Sequence, residues 1–313
     1  MRPTILILGP TAGGKTKLSI ELANQLDGGG ECVIADSMQV YTDMNIGTAK
    51  PTAEELSAAP HHLVNLVPID SEGFTVNSWL TASEQAITDI QSRGKYPIIV
   101  GGTNLYIQAF LFGLFEGPQS DEKIRDVLNE LENRELFERL KVVDHQSAER
   151  IHINDRKRLI RALEVFEITG QPISELQNQW QGRPPREDVI IVGLDWAVST
   201  INKRINKRVK LMMDSGLLEE VASLKGRFNS QASEALGYKQ ILHHLDGNCT
   251  LDEAIERIKI LTRRYAKQQR TWLKRFKVLP NTKFIEMGDK MMQTAVNDAL
   301  THIQSCTFSD KQT

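Results

Sequence analysis

Residues 4–16, TILILGPTAGGKT, join a short apolar run to a glycine-rich loop and the start of a helical pattern. Within them Gly9, Pro10, Thr11, Ala12, Gly13, Gly14, Lys15 and Thr16 match GxxxxGK[ST]. Glycines in such a loop let backbone N–H groups converge on phosphate oxygens, and the helix that follows adds the partial positive charge of its N-terminus. Lys15 supplies a point charge, and the Thr16 hydroxyl suits Mg²⁺. The stretch predicts strand, phosphate loop and helix, built to hold a di- or triphosphate. ATP is the obvious occupant, and the rest of the chain tests that expectation.

Outward from the loop, short apolar runs alternate with amphipathic stretches. ECVIAD (31–36), HLVNL (62–66) and YPIIVGG (96–102) read as buried parallel strands beside TILIL, with helices over 15–26 and 76–93 between them, the second ending at Gly94. After Gly117-Pro118 the character changes: 121–179 has charged helical segments and no good strand. The clearest segment is DRKRLIRALEVFEITG, with Asp155 as N-cap, an apolar face of Leu159, Ala162, Leu163 and Phe166, and Gly170 past its end. VIIVGLDW (189–196) returns to strand, and from Thr200 the chain is mostly helical, with KFIEM as a last short strand and a tail expected to fray after Thr301. The expected architecture is α/β: a P-loop-type, doubly wound parallel sheet with a helical insertion domain and a helical C-terminal part. Residues 1–118 and 187–313 form its core domain, and 119–186 the insertion.

The 313 residues are 40% hydrophobic and 25% charged, ordinary for a globular protein. Cys32, Cys249 and Cys306 lie far apart without zinc or disulfide spacing, which predicts reduced thiols in the cytoplasm. The apolar run at the N-terminus is too short for a signal peptide, and none approaches a membrane span. A net charge of −2 gives no general pull on nucleic acid, so that case rests on local charge.

Asp36 ends the second strand, at the edge where α/β sheets place their ligands. It suits either a general base or an N-cap with Ser37. The fourth strand ends in Gly101-Gly102-Thr103, where a P-loop NTPase usually places a metal-holding aspartate. That weakens the ATPase reading; Thr103 offers a hydroxyl or a helix cap. Arg204 and Arg208 share a helix face from which one could clamp a leaving phosphate. Lys157, Arg158 and Arg161 cluster on one helix. On the long C-terminal helix, Arg263, Lys267, Arg270, Lys274 and Lys277 form a stripe without acidic partners one turn away, which favours a polyanion over plain solvent. His61-His62 are adjacent, point to opposite strand faces, and read as structural.

Taken in order, GPTAGGKT, ADSMQVY, NIGTAKPTAEEL, PHHL, VGGTNLY, NDRKRLIRALEVFEITG, EALGYKQ and TRRYAKQQRTWLKR closely resemble the tRNA dimethylallyltransferase (tRNA isopentenyltransferase) family, up to about Phe276. The resemblance is to the bacterial type, since no C-terminal zinc finger is present. It implies transfer of the dimethylallyl group of dimethylallyl diphosphate to N6 of adenosine 37 of tRNA, just 3′ of the anticodon. The loop would then grip an isoprenoid diphosphate. Asp36 would take the N6 proton, Thr103 would position the reacting groups, and Lys15, the loop amides, Mg²⁺ on Thr16, and Arg208 would stabilise the leaving diphosphate. The resemblance further implies that the target adenine is flipped into a channel, with the isoprenoid diphosphate entering from the other side. It implies contacts to the anticodon stem-loop from Asp36, Ser37, Met38, Gln39, Thr103 and Arg125. Lys157, Arg158, Leu159, Ile160 and Arg161 would join them, with Glu234, Ala235, Leu236, Gly237, Tyr238 and Lys239. The insertion would pack on the anticodon stem. One departure stands out: Gln268 occupies a place where the family commonly has Arg, which puts one phosphate contact in doubt.

Nothing demands more than a monomer. Three other readings remain: a P-loop kinase of a small metabolite, an adenylate prenyltransferase, and a non-catalytic RNA-binding module. The basic stripe and absent strand-end acid oppose the first, the 121–179 helices the second, and the loop with Asp36 the third.

Overall fold

The computed structural model describes residues 1–114, 117–178, 183–288 and 292–309. The chain begins with β1 (Thr4–Leu8), α1 (Lys15–Gln25), β2 (Gly30–Ala35), α2 (Ala53–Ala58), β3 (His61–His62), α3 (Val76–Ser92), β4 (Tyr96–Gly101) and α4 (Asn104–Phe112). Five helices follow: α5 (Glu122–Asn129), α6 (Asn133–Val143), α7 (His145–Arg150), α8 (Arg156–Thr169) and α9 (Ile173–Asn178). It closes with β5 (Val189–Asp195), α10 (Val198–Asp214), α11 (Leu217–Leu224), α12 (Tyr238–Leu245), α13 (Leu251–Phe276), β6 (Thr282–Glu286) and α14 (Met292–Ser309).

The six strands form one parallel sheet in the order β3-β2-β4-β1-β5-β6. Ile5 of β1 sits opposite Ile98 of β4 and Ile190 of β5. The central strands are continuous apolar runs because both faces are covered. Ile5, Ile7, Ile98, Val100, Ile190 and Val192 share a core with Leu18 and Leu22 of α1 and Ala295, Val296 and Ala299 of α14. On α3, the Trp79 indole N–H donates to the Ile34 carbonyl at 2.8 Å, and its ring stacks on Tyr106.

Two expectations change. HLVNL contributes only the end of the two-residue β3, because Leu63 and Asn65 take φ of +64° and +56° and leave the extended region. The chain does not fray at Thr301 either: Ile303 is buried in the α1–α14 core and the helix runs to Ser309. The tail residues 310–313 lie outside the described residues.

The buried Glu31 of β2 takes hydrogen bonds from Arg93, Lys95 and His62. The Arg93 hydrogen bond leads in holding its carboxyl far below the usual range. His62 thus has a carboxylate partner and His61 faces the Ala59 carbonyl at 2.8 Å. Among the described residues no group of His, Cys, Asp and Glu could hold a metal ion, and no helix is long and apolar enough to cross a membrane.

The chain divides into two compact units, 1–107 with 186–313, and 108–185. The second therefore starts within α4, earlier than Gly117-Pro118. Its core joins Leu128, Leu136, Leu140, Leu159, Leu163 and Ile173. Asp155 caps α8 and Gly170 ends it in the left-handed conformation. Asp144 caps α7 through the Ser147 N–H and also accepts the Ser174 N–H and hydroxyl at 2.9 and 2.7 Å.

Glu164, fully buried, accepts from Arg125 Nε at 2.8 Å, Arg161 Nη1 at 2.6 Å and the Asp121 N–H at 2.9 Å. Burial pushes its pKa up, but these hydrogen bonds outweigh it and the net shift is downward. Glu164→Gln should cost about 1–3 kcal/mol in chemical denaturation at neutral pH, since it leaves part-exposed guanidiniums under-partnered. Because the folded pKa is depressed, the difference from wild type should shrink as pH falls through the carboxylate's lowered range.

Candidate active site

β4 lies between β1 and β2, so the chain direction across the sheet reverses beside β1 and opens a crevice at the strands' C-terminal ends. Three strand ends meet there: the phosphate loop after β1, Asp36 after β2 and Gly101-Gly102-Thr103 after β4. Residues 11–16 of the loop, Asp36, Gly101 and Gly102 line one cavity of about 990 Å³.

The loop is held by its carbonyls. Lys15 Nζ donates to Gly9 and Pro10 at 3.0 Å each, Arg204 Nε to Ala12 at 2.8 Å, and the Trp196 indole N–H to Gly13 at 3.0 Å. The Arg204 guanidinium lies 4.5 Å from the Trp196 ring centroid, so the two partners also brace each other. Gly14 caps α1 at φ +92° with no side-chain bond, a conformation that favours glycine. Among the described residues the N–H groups of Ala12, Gly14, Lys15 and Thr16 make no protein hydrogen bond. With the helix dipole behind them, four free donors on a cavity wall are an anion site.

Lys15 is pulled down to about pKa 8 by burial first and by the nearby Arg208 charge second, with Asp36 opposing. Burial also lowers Arg208, whose Nη1 reaches the Thr11 hydroxyl at 3.4 Å. Two desolvated cations beside free amides favour a strongly negative ligand.

Asp36 serves as the cap that its position allowed. Its Oδ1 caps the following turn, accepting the Met38 and Gln39 N–H groups at 2.9 and 3.3 Å. The same carboxylate lines the cavity with the loop. Thr103 uses its hydroxyl on Ser37, accepting the backbone N–H at 3.0 Å, and so ties the ends of β2 and β4.

Gly101 and Gly102 have a steric cause. A Cβ on Gly101 would lie 2.0 Å from the Ala35 carbonyl oxygen, and one on Gly102 would lie 2.4 Å from Gln269 Nε2. Gln269, buried on α13, bridges two strand ends: its Nε2 donates to the Gly102 carbonyl at 3.0 Å and its Oε1 accepts the Thr11 N–H at 2.8 Å. Tyr265 also donates to Gly102 at 2.8 Å. The place of an ATPase's aspartate is filled by an amide. Gln268 is exposed and touches none of this.

Other candidates are placed differently. Arg125, Lys157, Arg158, Leu159, Ile160 and Arg161 belong to the helical unit. Leu159 and Ile160 are buried; Arg125 and Arg161 are paired with Glu164, and Arg158 with Asp155 at 3.0 Å. In 234–239, Ala235, Gly237 and Tyr238 are buried, Leu236 is half-buried, and exposed Glu234 and Lys239 pair at 2.8 Å. The stripe on α13 is partly compensated: Arg263 reaches Asn206 at 2.7 Å and Glu256 at 3.6 Å, and Lys277 pairs with Asp195. Arg270 departs from a solvated face, with Nη1 buried and unpartnered among the described residues, while Lys267 is exposed. Sequence reasoning missed Trp196, Arg204's carbonyl bond and Gln269. A tryptophan directly after a strand ending was the one available signal for the first.

Fold and site together define a P-loop-type protein whose loop presents free amides, an anion site, beside a carboxylate. A model of the IPP transferase family matches residues 39–276. The tRNA dimethylallyltransferase of Shouchella clausii is 45% identical over 278 residues, covering 87% of this chain and 88% of its own length. That of Anoxybacillus flavithermus is 42% identical over 303 residues, with 96% of each covered. The crystal structure of the tRNA isopentenylpyrophosphate transferase of Bacillus halodurans superposes with TM-score 0.70 at 35% identity, covering 99% of this chain and all of that one. A eukaryotic dimethylallyltransferase, solved in crystallographic snapshots acting on tRNA, gives TM-score 0.77 at 30% identity over 92% of this chain and 75% of that one. The chain belongs to the IPP transferase family.

With Lys15 titrating near 8, affinity for inorganic diphosphate should fall as pH rises through 8, with proton uptake on binding above that point. Calorimetry in buffers of different ionisation enthalpy reads the uptake, which should vanish in Lys15→Met.

Proposed function

We propose that this chain transfers the dimethylallyl group from dimethylallyl diphosphate to N6 of adenosine 37 of tRNA, forming N6-isopentenyladenosine and releasing diphosphate. The observation that carries the reading is one cavity holding four free loop amides and Asp36, in a member of the IPP transferase family, with glycines where a nucleotide hydrolase keeps its acid. The cavity lining also includes apolar Leu56, Leu211 and Met212, suited to a short hydrocarbon.

In the reaction the N6 lone pair attacks C1 of the dimethylallyl group. The C1–O bond breaks with its electron pair leaving on the diphosphate, and the N6 proton passes to Asp36. Asp36 is suited to this by its place: Oδ1 is fixed by two N–H groups while the carboxylate faces the cavity. Thr103 and Ser37 keep the β2 and β4 ends together beside it. Lys15, Arg208 and the loop amides lie where the leaving group gathers charge.

Mg²⁺ fits this donor set. The Thr16 hydroxyl and the Asp36 carboxylate both line the cavity, and among the described residues no acidic cage stands there, which suits an ion ligated chiefly by phosphate and water. Thr16 would hold it, and bound it would neutralise charge on the departing diphosphate.

The anticodon stem-loop is the acceptor in this reading, with exposed Lys157 and Lys267 as its direct cations and Lys239 reaching it on leaving Glu234. Leu159 and Tyr238, buried, act by placing their helices. The reading is completed by a monomer acting on tRNA in the cytoplasm.

The test is transfer from labelled dimethylallyl diphosphate with Mg²⁺ and unmodified tRNA, run beside AMP and ATP hydrolysis. Label in tRNA alone is expected; label in AMP, or ATP turnover without transfer, would overturn the reading. Asp36→Ala should lower turnover by about 10²–10⁴-fold with tRNA affinity little changed. Unchanged turnover would remove the base assignment. Neutralising Arg263, Lys267 and Arg270 together should weaken tRNA binding and flatten its salt dependence. An unaltered salt slope would make the stripe a solvated face.

A further inference from the structure

Glu220 of α11 has no place in the reaction as described, yet its half-buried carboxylate collects an unusual set of donors. The backbone N–H of Asn45 donates to Oε2 at 3.0 Å, that of Ile46 to both oxygens at 3.0 and 2.9 Å, and that of Gly47 to Oε1 at 3.3 Å. The Tyr238 hydroxyl adds a fourth donor at 2.5 Å. Three successive N–H groups turned toward one point form a nest for an anion, and here the chain supplies the anion itself. Gly47 has a matching constraint: a Cβ there would lie 2.3 Å from the Tyr238 ring.

The segment so held is a cavity wall. Asn45, Ile46, Thr48, Ala49 and Lys50 all line it. The Thr48 and Ala49 carbonyls accept from Gln39 Nε2 at 3.1 and 3.3 Å, and the Gln39 N–H bonds Asp36 Oδ1. A line of contacts thus runs from Glu220 through 45–49 and Gln39 to the carboxylate that meets the acceptor. Among the described residues no hydrogen bond joins Glu220, 45–49 or Gln39 to the phosphate loop.

We propose that Glu220 is a positioning residue for the acceptor: by seating the N–H groups of 45–47 against Tyr238 it fixes the wall that aligns Gln39 and Asp36 with the adenine. The proposal rests on the reading of Asp36 and the cavity given above. An ionised carboxylate suits the task because it only accepts, and all four partners donate. An amide would turn its NH₂ on at least one of them.

The test compares Glu220→Gln, Glu220→Ala and Tyr238→Phe with wild type in two measurements. One is calorimetric binding of dimethylallyl diphosphate with Mg²⁺. The other is single-turnover transfer to tRNA at saturating donor. Glu220→Gln should lose about 10- to 100-fold in transfer rate or tRNA KM, the scale of a small misplacement relayed from outside the chemistry. Donor Kd should stay within about twofold, and Tyr238→Phe should show the same split, smaller. Equal losses in donor binding and transfer would overturn the proposal, since general loosening does not discriminate between substrates; so would transfer equal to wild type in Glu220→Gln. Should Glu220→Ala fail to fold, the other two variants decide. Absence of transfer by wild type is a separate result and would strike the functional reading itself.

Discussion

A phosphate loop can grip an anion only if its own carbonyls are kept from turning toward the ligand. In this chain that restraint comes largely from outside the loop. Lys15 holds Gly9 and Pro10, but Ala12 and Gly13 are held by Arg204 and Trp196, which follow β5. The loop is complete at residue 16, while the groups that orient it arrive some 180 residues later, beyond the whole helical unit. The return of the chain to the sheet as β5, pairing with β1 from Thr4–Val189 to Leu8–Gly193, brings Trp196 to the loop. Strand register and ligand chemistry are therefore one constraint.

The same economy explains the glycines after β4. In an ATPase the acid at that point acts on a metal's water shell. Here its absence is filled by Gln269, which needs Gly102 to come close and which takes the Thr11 N–H as well. An amide can donate to one strand end and accept from the other; a carboxylate could not donate to the Gly102 carbonyl. The substitution of chemistry is thus also a substitution of packing, tying α13 to both the first and the fourth strand.

Much of this was legible in sequence because it is local. Strand periodicity, the loop, Asp36 at a strand end, and the Asp155 and Gly170 boundaries of α8 each depend on a few neighbouring residues. What escaped was long-range or conformational. Nothing in HLVNL signals two left-handed residues, and nothing near Thr301 signals that Ile303 finds a core. Glu220 reads as an acid in the first turn of α11, complementing its dipole, until Asn45–Gly47 fold against it. Trp196, Arg204 and Gln269 act across more than 180 residues, beyond what spacing can encode.

The cations bear on how the protein would meet RNA. Counting basic residues on α8, at 234–239 and on α13 suggests a broad positive surface, but many are already engaged. Arg125 and Arg161 serve Glu164, Arg158 serves Asp155, Lys239 serves Glu234, and Arg263 is shared between Asn206 and Glu256. Lys157, Lys267 and Lys274 are exposed with no ion pair among the described residues. A free lysine that meets a phosphate releases a counterion from the nucleic acid, worth a salt-dependence slope of about 0.7–0.9 per contact. A paired arginine must first leave its carboxylate, and salt weakens that internal pair as it weakens the new one. The two dependences oppose each other. The net charge of −2 is thus compatible with an RNA partner, and the salt dependence of binding should follow the free lysines more closely than the total of basic residues.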